Sequence, residues 1–357
     1  MTGQLTMRAA NAGHEAFLAA HCDAVQADLA FKRTAMAESS FAFLRATCFR
    51  FAARFASIAP LAAGEFAVPS VGDAHLENFG TWRDAEGRLV WGVNDLDEAA
   101  MLPWRTDLLR LACSAILAMG APDTRLVQDT LLSGYAAGLA RPGPFILDER
   151  NARLRDVAAP TPDERVAFWA KIDRMVPCEP PPAIRAALLA ALPPGCGAVS
   201  FAPRVAGLGS LGRPRFVAIA QWRGGRVVRE AKSKLPSAWI EAGFQGAAAL
   251  DVAGLALNPH RAPDPWLTVT QTLVTRRLAP DSRKLDISPR HGRAFLAVLS
   301  DMGSELANIH SSQEDAARLT LALAASQKHW LAEGAQALAE AVMADFGQWR
   351  KVMEKGF

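Results

Sequence analysis

The segment VGDAHLENFG, Val71 to Gly80, sets Asp73 and Asn78 five residues apart in a polar loop that follows a short apolar run. A second acidic knot, VNDLDEA, Val93 to Ala99, places Asp95 seventeen residues beyond Asn78, with Asp97 and Glu98 beside it. An aspartate, an asparagine and a further aspartate in this arrangement suit phosphoryl transfer from a nucleotide. One carboxylate orients or deprotonates an acceptor hydroxyl, while an asparagine oxygen and a second carboxylate hold magnesium against the phosphates. Mg²⁺ takes hard oxygen ligands, which both residue types offer. Asp73 is thus the candidate base, and Asn78 and Asp95 are candidate metal ligands. Asp97 is a candidate ligand to a second metal, or with Glu98 a partner that orients the first set. The plainer alternative is that these side chains cap turns and helix ends. The strand that ends in Asp-x-Asp favours the chemical one.

Much further along, AGLGSLGRPRF carries Gly207-x-Gly209-x-x-Gly212. Between a strand and a helix such a triplet would suit a dinucleotide, but here a strand, RFVAIAQW, follows. Strand, glycine turn, strand is the geometry of the kinase phosphate-covering loop, where backbone N–H groups approach phosphate oxygens with no Cβ in the way. Gly207, Gly209, Ser210 and Gly212 are the candidate phosphate holders. Lys232, twenty residues beyond Gly212 on the next predicted strand, is the candidate for pairing with α- and β-phosphate oxygens as a mobile point charge. Arg226, Arg229 and Lys234 are rival cations nearby, and alternation sets Lys232 and Lys234 on one face. Glu241, on a following helix, and Glu230 are the two acids that could orient Lys232.

These residues need elements around them. FAVPS, before the first loop, is a short apolar strand. GTWRDAEGRLVWGV, after it, is a hairpin turning at Asp84-Ala85-Glu86-Gly87, and its return strand RLVWGV ends at the acidic knot. Residues 8–60 repeat Ala, Leu, Phe and Arg at helical spacing, with no proline before Pro60. Asp107 to about Arg141 is helical again. Residues 142–200 are rich in proline around at least two short helices and form the candidate linker. The β-rich block that follows turns at Gly224-Gly225 into the strand RVVREAK. A helix is expected over Trp239–Leu257, and WLTVTQTLVTRRL is a strand pair or one long strand. From Pro289 onward the chain is helical. Trp82, Trp91 and Trp104, around the acidic knots, belong in the core.

The 357 residues are half hydrophobic, enough to bury a sizeable core, and the net charge of +3 makes no case for a nucleic-acid or membrane-surface partner. The five cysteines form no CxxC pair and are odd in number, against a disulfide framework or zinc knuckle. The amino terminus lacks a basic stretch followed by an apolar run, and the longest apolar runs are too short to span a bilayer. A cytoplasmic protein with reduced thiols is expected.

GDAHLENFG…VNDLDEAAMLPWRTDLLRLA resembles the HGDxHxxN…IDxxxA…DLA run of aminoglycoside- and choline-kinase-like phosphotransferases. The resemblance implies Asp73 as catalytic-loop aspartate, Asn78 and Asp95 as metal ligands, and Asp107 as the structural aspartate that ties its helix to the catalytic loop. Val71 stands where those kinases commonly have histidine. MGSELANIHSS, Met302 to Ser312, resembles the helix that runs just before the catalytic loop in such enzymes, with His310 an orienting residue. All these elements are in rotated order, which a circular permutation explains.

KRTAMAESSFAFLRA, GDAHLENFG, NDLDEA, GLGSLG, EAKSKLPSA and LANIHSS together resemble the uncharacterised bacterial domain family numbered 2252, over roughly residues 30 to 312. That family commonly has Lys-Glu-Ala at the lysine, where this chain has Lys232-Ser233-Lys234. GDAH alone is also similar to the Gly-Asp-x-His piece of metallophosphoesterases, but their Gly-Asn-His-Asp element is not in the chain.

The expected fold is therefore α+β, a circularly permuted protein-kinase-like structure. A helical large lobe spans residues 1–195, a small antiparallel β lobe that binds nucleotide spans 196–284, and helices of 285–357 pack back on the large lobe. The expected function is ATP- and Mg²⁺-dependent phosphotransfer to a small-molecule or protein hydroxyl that the residues do not name. A nucleotide-binding pseudokinase, AMP transfer and a metal-dependent phosphoesterase are the rivals. His75 is expected to bond the loop backbone or to touch phosphate. Arg45 is expected to pair with an acid such as Asp97, to contact phosphate, or to lie along the surface.

Overall fold

A computed structural model describes residues 5–120, 123–285, 288–312 and 316–356, and the fold is α+β with antiparallel sheets. The main hydrophobic core surrounds the helix Thr106–Met119, whose sequence TDLLRLACSAILAM is apolar nearly all round and is buried accordingly. Helices Thr124–Ala140, Arg293–His310 and Trp330–Glu354 pack about it. Two of these approach closely because glycines face the contact. A Cβ on Gly134 would lie 1.8 Å from the Ser300 carbonyl oxygen, and one on Gly303 would lie 2.3 Å from that of Leu131. Residues 7–63 form five helices, as their spacing predicts, and Trp82, Trp91 and Trp104 are buried.

Two small ladders set the stage for chemistry. Ala67–Ser70 pairs antiparallel with Ala100–Pro103 in the register Ser70↔Ala100. Phe79–Arg83 pairs with Leu89–Val93 in the register Phe79↔Val93, closed by the expected turn, where the Asp84 carboxylate accepts from the Glu86 and Arg88 amides. Residues 71–78 and 94–99 leave these two ladders at matching positions, so the two polar loops must lie side by side. Phe145–Ile146, inside the proline-rich region, adds a third strand to the hairpin.

A five-stranded antiparallel sheet runs in the spatial order Val199–Pro203, Arg215–Trp222, Gly225–Ser233, Leu273–Leu278, Thr268–Val269. The pairings Arg215↔Lys232 and Glu230↔Arg276 put those four side chains on one face. Ala202, Val217 and Val228 continue that face and are covered by Phe168, Trp169 and Ile172 of helix Pro162–Asp173. Phe201, Ala218 and Ala231 on the other face pack against Ile184 and Leu188 of helix Pro182–Ala191. The unit built on this sheet thus begins well before residue 196, and the proline-rich region supplies its helices.

One expected helix is absent. Trp239–Leu257 holds two short ones, Ala238–Glu241 and Val252–Ala256, with Gly243 at φ 65° and Gly246 between them. Glycine at positive φ ends a helix at little steric cost, and these residues have lower helix propensity than the rest of the segment. Among the described residues, no helix is long and apolar enough to cross a membrane.

Candidate functional site

The first loop is held from below. Asp107, at the start of its apolar helix, accepts hydrogen bonds from the Val71 and Gly72 amides at 2.6 and 3.0 Å. His310 Nε2 lies 3.2 Å from Asp107 Oδ2, and its Nδ1 is 2.9 Å from the Tyr135 hydroxyl, so a fully buried chain of three side chains braces the loop. Gly72 sits at φ 78°, and a Cβ there would fall 2.0 Å from the Glu98 carbonyl oxygen. Only glycine lets the two loops approach this closely.

Asn78 joins them. Its Nδ2 donates to the main-chain carbonyls of Asp73 and Asp95, each at 3.0 Å. Since those partners are acceptors, the amide orientation is fixed by chemistry. The Oδ1 atom is then left buried with no hydrogen-bond partner among the described residues. A buried acceptor without a donor is uncommon in native proteins.

Asp73 accepts from Arg110 through Nε, at 2.7 Å, and through Nη2. Arg110 is wholly buried, stacks over the Phe51 ring and also donates to the Leu44 carbonyl. Burial pushes the Asp73 carboxyl above its ordinary pKa despite the Arg110 charge. Both Arg110 contacts fall on Oδ1, while Oδ2 lies 3.9 Å from His75 Nε2 and beneath Gly209. His75 accepts from the Glu77 amide at 3.1 Å, a bond within the loop, and burial followed by the Arg45 charge keeps the ring neutral. Arg45 pairs with Glu77 at 2.8 and 3.0 Å, not with Asp97, because helix Ser40–Ala46 lies over the end of the first loop.

Lys232 reaches the second loop. Its Nζ is 3.3 Å from both Asp95 oxygens and contacts Asp97. Neither Glu241 nor Glu230 is its direct partner. Glu241 pairs with His14 at 3.0 Å, and Glu230 is taken by arginines: Arg215 at 2.9 Å, Arg276 at 3.3 Å, and Arg204. Burial disfavours ionised Asp95, but Lys232, Arg276 and Arg215 outweigh it and hold its carboxyl well below the usual range. Arg213 closes the network, donating to Asp97 at 3.0 Å and Glu98 at 2.7 Å.

The glycine turn lies over the first loop. A Cβ built on Gly209 would stand 2.9 Å from the Arg45 carbonyl and 3.8 Å from Asp73 Oδ2. Gly207, Gly209 and Ser210 line a cleft of about 310 Å³ together with Asp73, Asn78 and Asp95. Two stretches far apart in the chain therefore meet across one space. Ser210 is partly committed, since its hydroxyl donates to the Gly207 carbonyl at 3.2 Å and accepts from Arg215 at 2.6 Å. Gly212 faces away from the cleft and packs on Leu29, with its carbonyl accepting from the Val25 amide. Lys232 sits behind Asp95 and Asp97, almost fully buried.

The residues present fit a magnesium ion shared with phosphates. Among the described residues, no three His, Cys, Asp or Glu side chains converge as a cage. Mg²⁺ commonly uses one or two carboxylates, waters and substrate phosphates instead. Asn78 Oδ1 and the Asp95 carboxylate offer such a donor set.

Sequence reasoning missed Arg110, Arg213 and Lys32. Lys32 is buried on helix Gln26–Ala35 and donates to the Gly209 carbonyl at 2.9 Å, from 177 residues away. A signal existed for Arg110, the lone charge in LLRLACSAIL, Leu108 to Leu117. Buried charges are paired, so such a residue announces an acid elsewhere.

Residues 24–132 match the model of a family described as an uncharacterized protein conserved in bacteria (DUF2252). That span holds Asp73, Asn78, Asp95, Asp97 and Arg110 but not the glycine turn or Lys232. No curated protein and no solved structure matches the chain.

Proposed function

We propose that this chain is an ATP- and Mg²⁺-dependent phosphotransferase with a kinase-like, circularly permuted arrangement of parts. The observation that carries the proposal is the orphaned Oδ1 of Asn78, a residue that lines one cleft together with Asp95, Asp73 and the glycine turn. The order of parts supports it too. A glycine turn joins the first and second strands of the five-stranded sheet, and the third carries Lys232. Protein kinases place their phosphate loop and lysine in that way. Here those parts follow the acidic loops in the chain, as in a permuted fold.

Asn78 Oδ1 and Asp95 would hold Mg²⁺, which would neutralise charge on the phosphates. Lys232, released from Asp95 and Asp97 in part, would turn to the phosphate chain. An acceptor hydroxyl would meet Asp73 Oδ2, which takes its proton as oxygen attacks the γ-phosphorus. The bond from that phosphorus to the β,γ-bridging oxygen breaks, and ADP leaves. Arg110 holds Asp73 in place for this role, and burial raises the affinity of Asp73 for the proton.

The same ion pair supports a second reading, a nucleotide-binding protein without phosphoryl transfer, since a fixed cation opposes protonation of its partner. AMP transfer would use the same nucleotide and metal residues. Asp73→Asn separates these cases. Under the proposal it abolishes ATP turnover while ATP binding persists. Turnover that survives the substitution contradicts Asp73 as the base.

A further inference from the structure

Three arginines converge on one buried carboxylate in the roof of the cleft. Glu230 accepts from Arg215 Nη1 at 2.9 Å and from Arg204 Nη1, and Arg276 Nε lies 3.3 Å away. Glu230 and Arg215 are both more than nine-tenths buried, and Arg204, Arg215, Glu230 and Arg276 all line the cleft. Three cations against one acid leave a local surplus of two positive charges. Asp95, 4.0 Å from Arg276 Nη2, offsets part of that surplus, while Asp97 and Glu98 are matched by Lys232 and Arg213. Buried surplus charge is costly unless a partner of opposite sign completes it.

The cluster is also aimed. Arg215 ties Glu230 to the glycine turn through the Ser210 hydroxyl at 2.6 Å. Arg276 ties Glu230 to the opposite wall, donating to the Asn94 carbonyl at 3.2 Å, with Nη2 4.0 Å from Asp95. Arg204 gives Glu230 one N–H, so the rest of its donor set is left for the cleft. Glu230 thus works as an organiser that spreads three planar forks between the glycine turn and the acidic loop. Guanidinium forks match phosphate oxygens in pairs, which a lysine cannot do.

We infer that Arg204, Arg215 and Arg276, gathered by Glu230, form an anion site for the phosphate chain, so that this cleft recognises its nucleotide by phosphates more than by base. The inference rests on the nucleotide reading above and adds the specificity of its site. The probes are MgATP, magnesium tripolyphosphate and adenosine, titrated against the full chain by calorimetry. The wild-type chain is expected to bind tripolyphosphate within about tenfold of ATP, and adenosine at least about a hundredfold more weakly, since each charged hydrogen-bond pair contributes roughly a tenfold factor. Arg204→Gln and Arg276→Gln should each weaken ATP and tripolyphosphate by a common factor of about ten or more.

If ATP binds but tripolyphosphate does not, or adenosine matches ATP, the anion site is wrong while the nucleotide reading survives. If neither ATP nor tripolyphosphate binds, both fall. The wild-type comparison alone decides the matter should either variant fail to fold.

Discussion

Asn78 holds Asp95 by its main chain: the amide Nδ2 donates to the Asp95 carbonyl at 3.0 Å while the Asp95 side chain faces Lys232. One residue thereby fixes the spacing of two loops and keeps its own oxygen free. Asn78→Ala should leave the partly buried carbonyls of Asp73 and Asp95 without this donor and cost up to about 1–3 kcal/mol per unsatisfied group. Urea unfolding of the wild type and Asn78→Ala checks this. Asn78→Ala should be the less stable; equal midpoints would mean that Asn78 does not join the loops.

Arg110 and Asp73 form the pair on which the first loop depends. Arg110→Met should leave Asp73 buried and uncompensated, at a cost of about 3–5 kcal/mol. Adding Asp73→Ala should recover part of that loss, because replacing both partners is cheaper than stranding one. A double-mutant cycle in guanidinium chloride measures the coupling. A coupling near zero would show the pair to be absent in solution.

Gly72 and Gly87 share a positive φ but differ in surroundings. An alanine at Gly87, at φ 75° with nothing within 4 Å, should cost about 1–2 kcal/mol for the left-handed backbone alone. At Gly72 the new methyl group meets the Glu98 carbonyl, and the loss should exceed about 3 kcal/mol. Comparable unfolding midpoints for the two variants would refute the close approach of the loops.

Much of this was legible because it is local. The alternation of RFVAIAQW, the Gly224-Gly225 turn, the Asp84–Gly87 turn and the polar loops after short strands each depend on neighbours in sequence. The partners of the charged residues were not. Lys232 finds Asp95 and Asp97 only because the sheet face set by Arg215↔Lys232 docks on the second loop. Arg45 finds Glu77 and Lys32 finds Gly209 through helix packing that no spacing encodes. The proline-rich stretch looked like a linker because its two sheet-covering helices are short and each starts at a proline, Pro162 and Pro182. Gly243 and Gly246 ended a helix that the apolar spacing had extended.

His14 and Glu241 give the fold a pH dependence whose sign can be stated. Burial, then the nearby Glu98 charge, pushes the Glu241 carboxyl from 4.5 up to about 8. A group with a raised native pKa binds its proton more tightly when folded, so its contribution is lost as pH rises toward 8. Burial, then Lys32 and Arg213, lowers the His14 pKa from 6.5, which acts in the opposite sense but only below that pH. Lys32, lowered from 10.5 to about 8 by burial and Arg213, acts above pH 8. Between about pH 6.5 and 8 stability should therefore fall with pH more steeply in the wild type than in Glu241→Gln, the difference between the two reporting Glu241. Parallel melting curves across that window would contradict it.

Thermal unfolding with ATP, with and without Mg²⁺, compares wild type and Asp95→Asn at the heart of the account. A ligand that binds the native state alone adds about 2.7 kcal/mol at a hundredfold excess over its dissociation constant, and the melting midpoint rises accordingly. The wild type should show a rise that needs both ATP and Mg²⁺, and Asp95→Asn should lose the part that depends on the metal. An equal, metal-dependent rise in both proteins, or no rise in the wild type, would contradict the assignment of Asn78 and Asp95 to a nucleotide-bound magnesium.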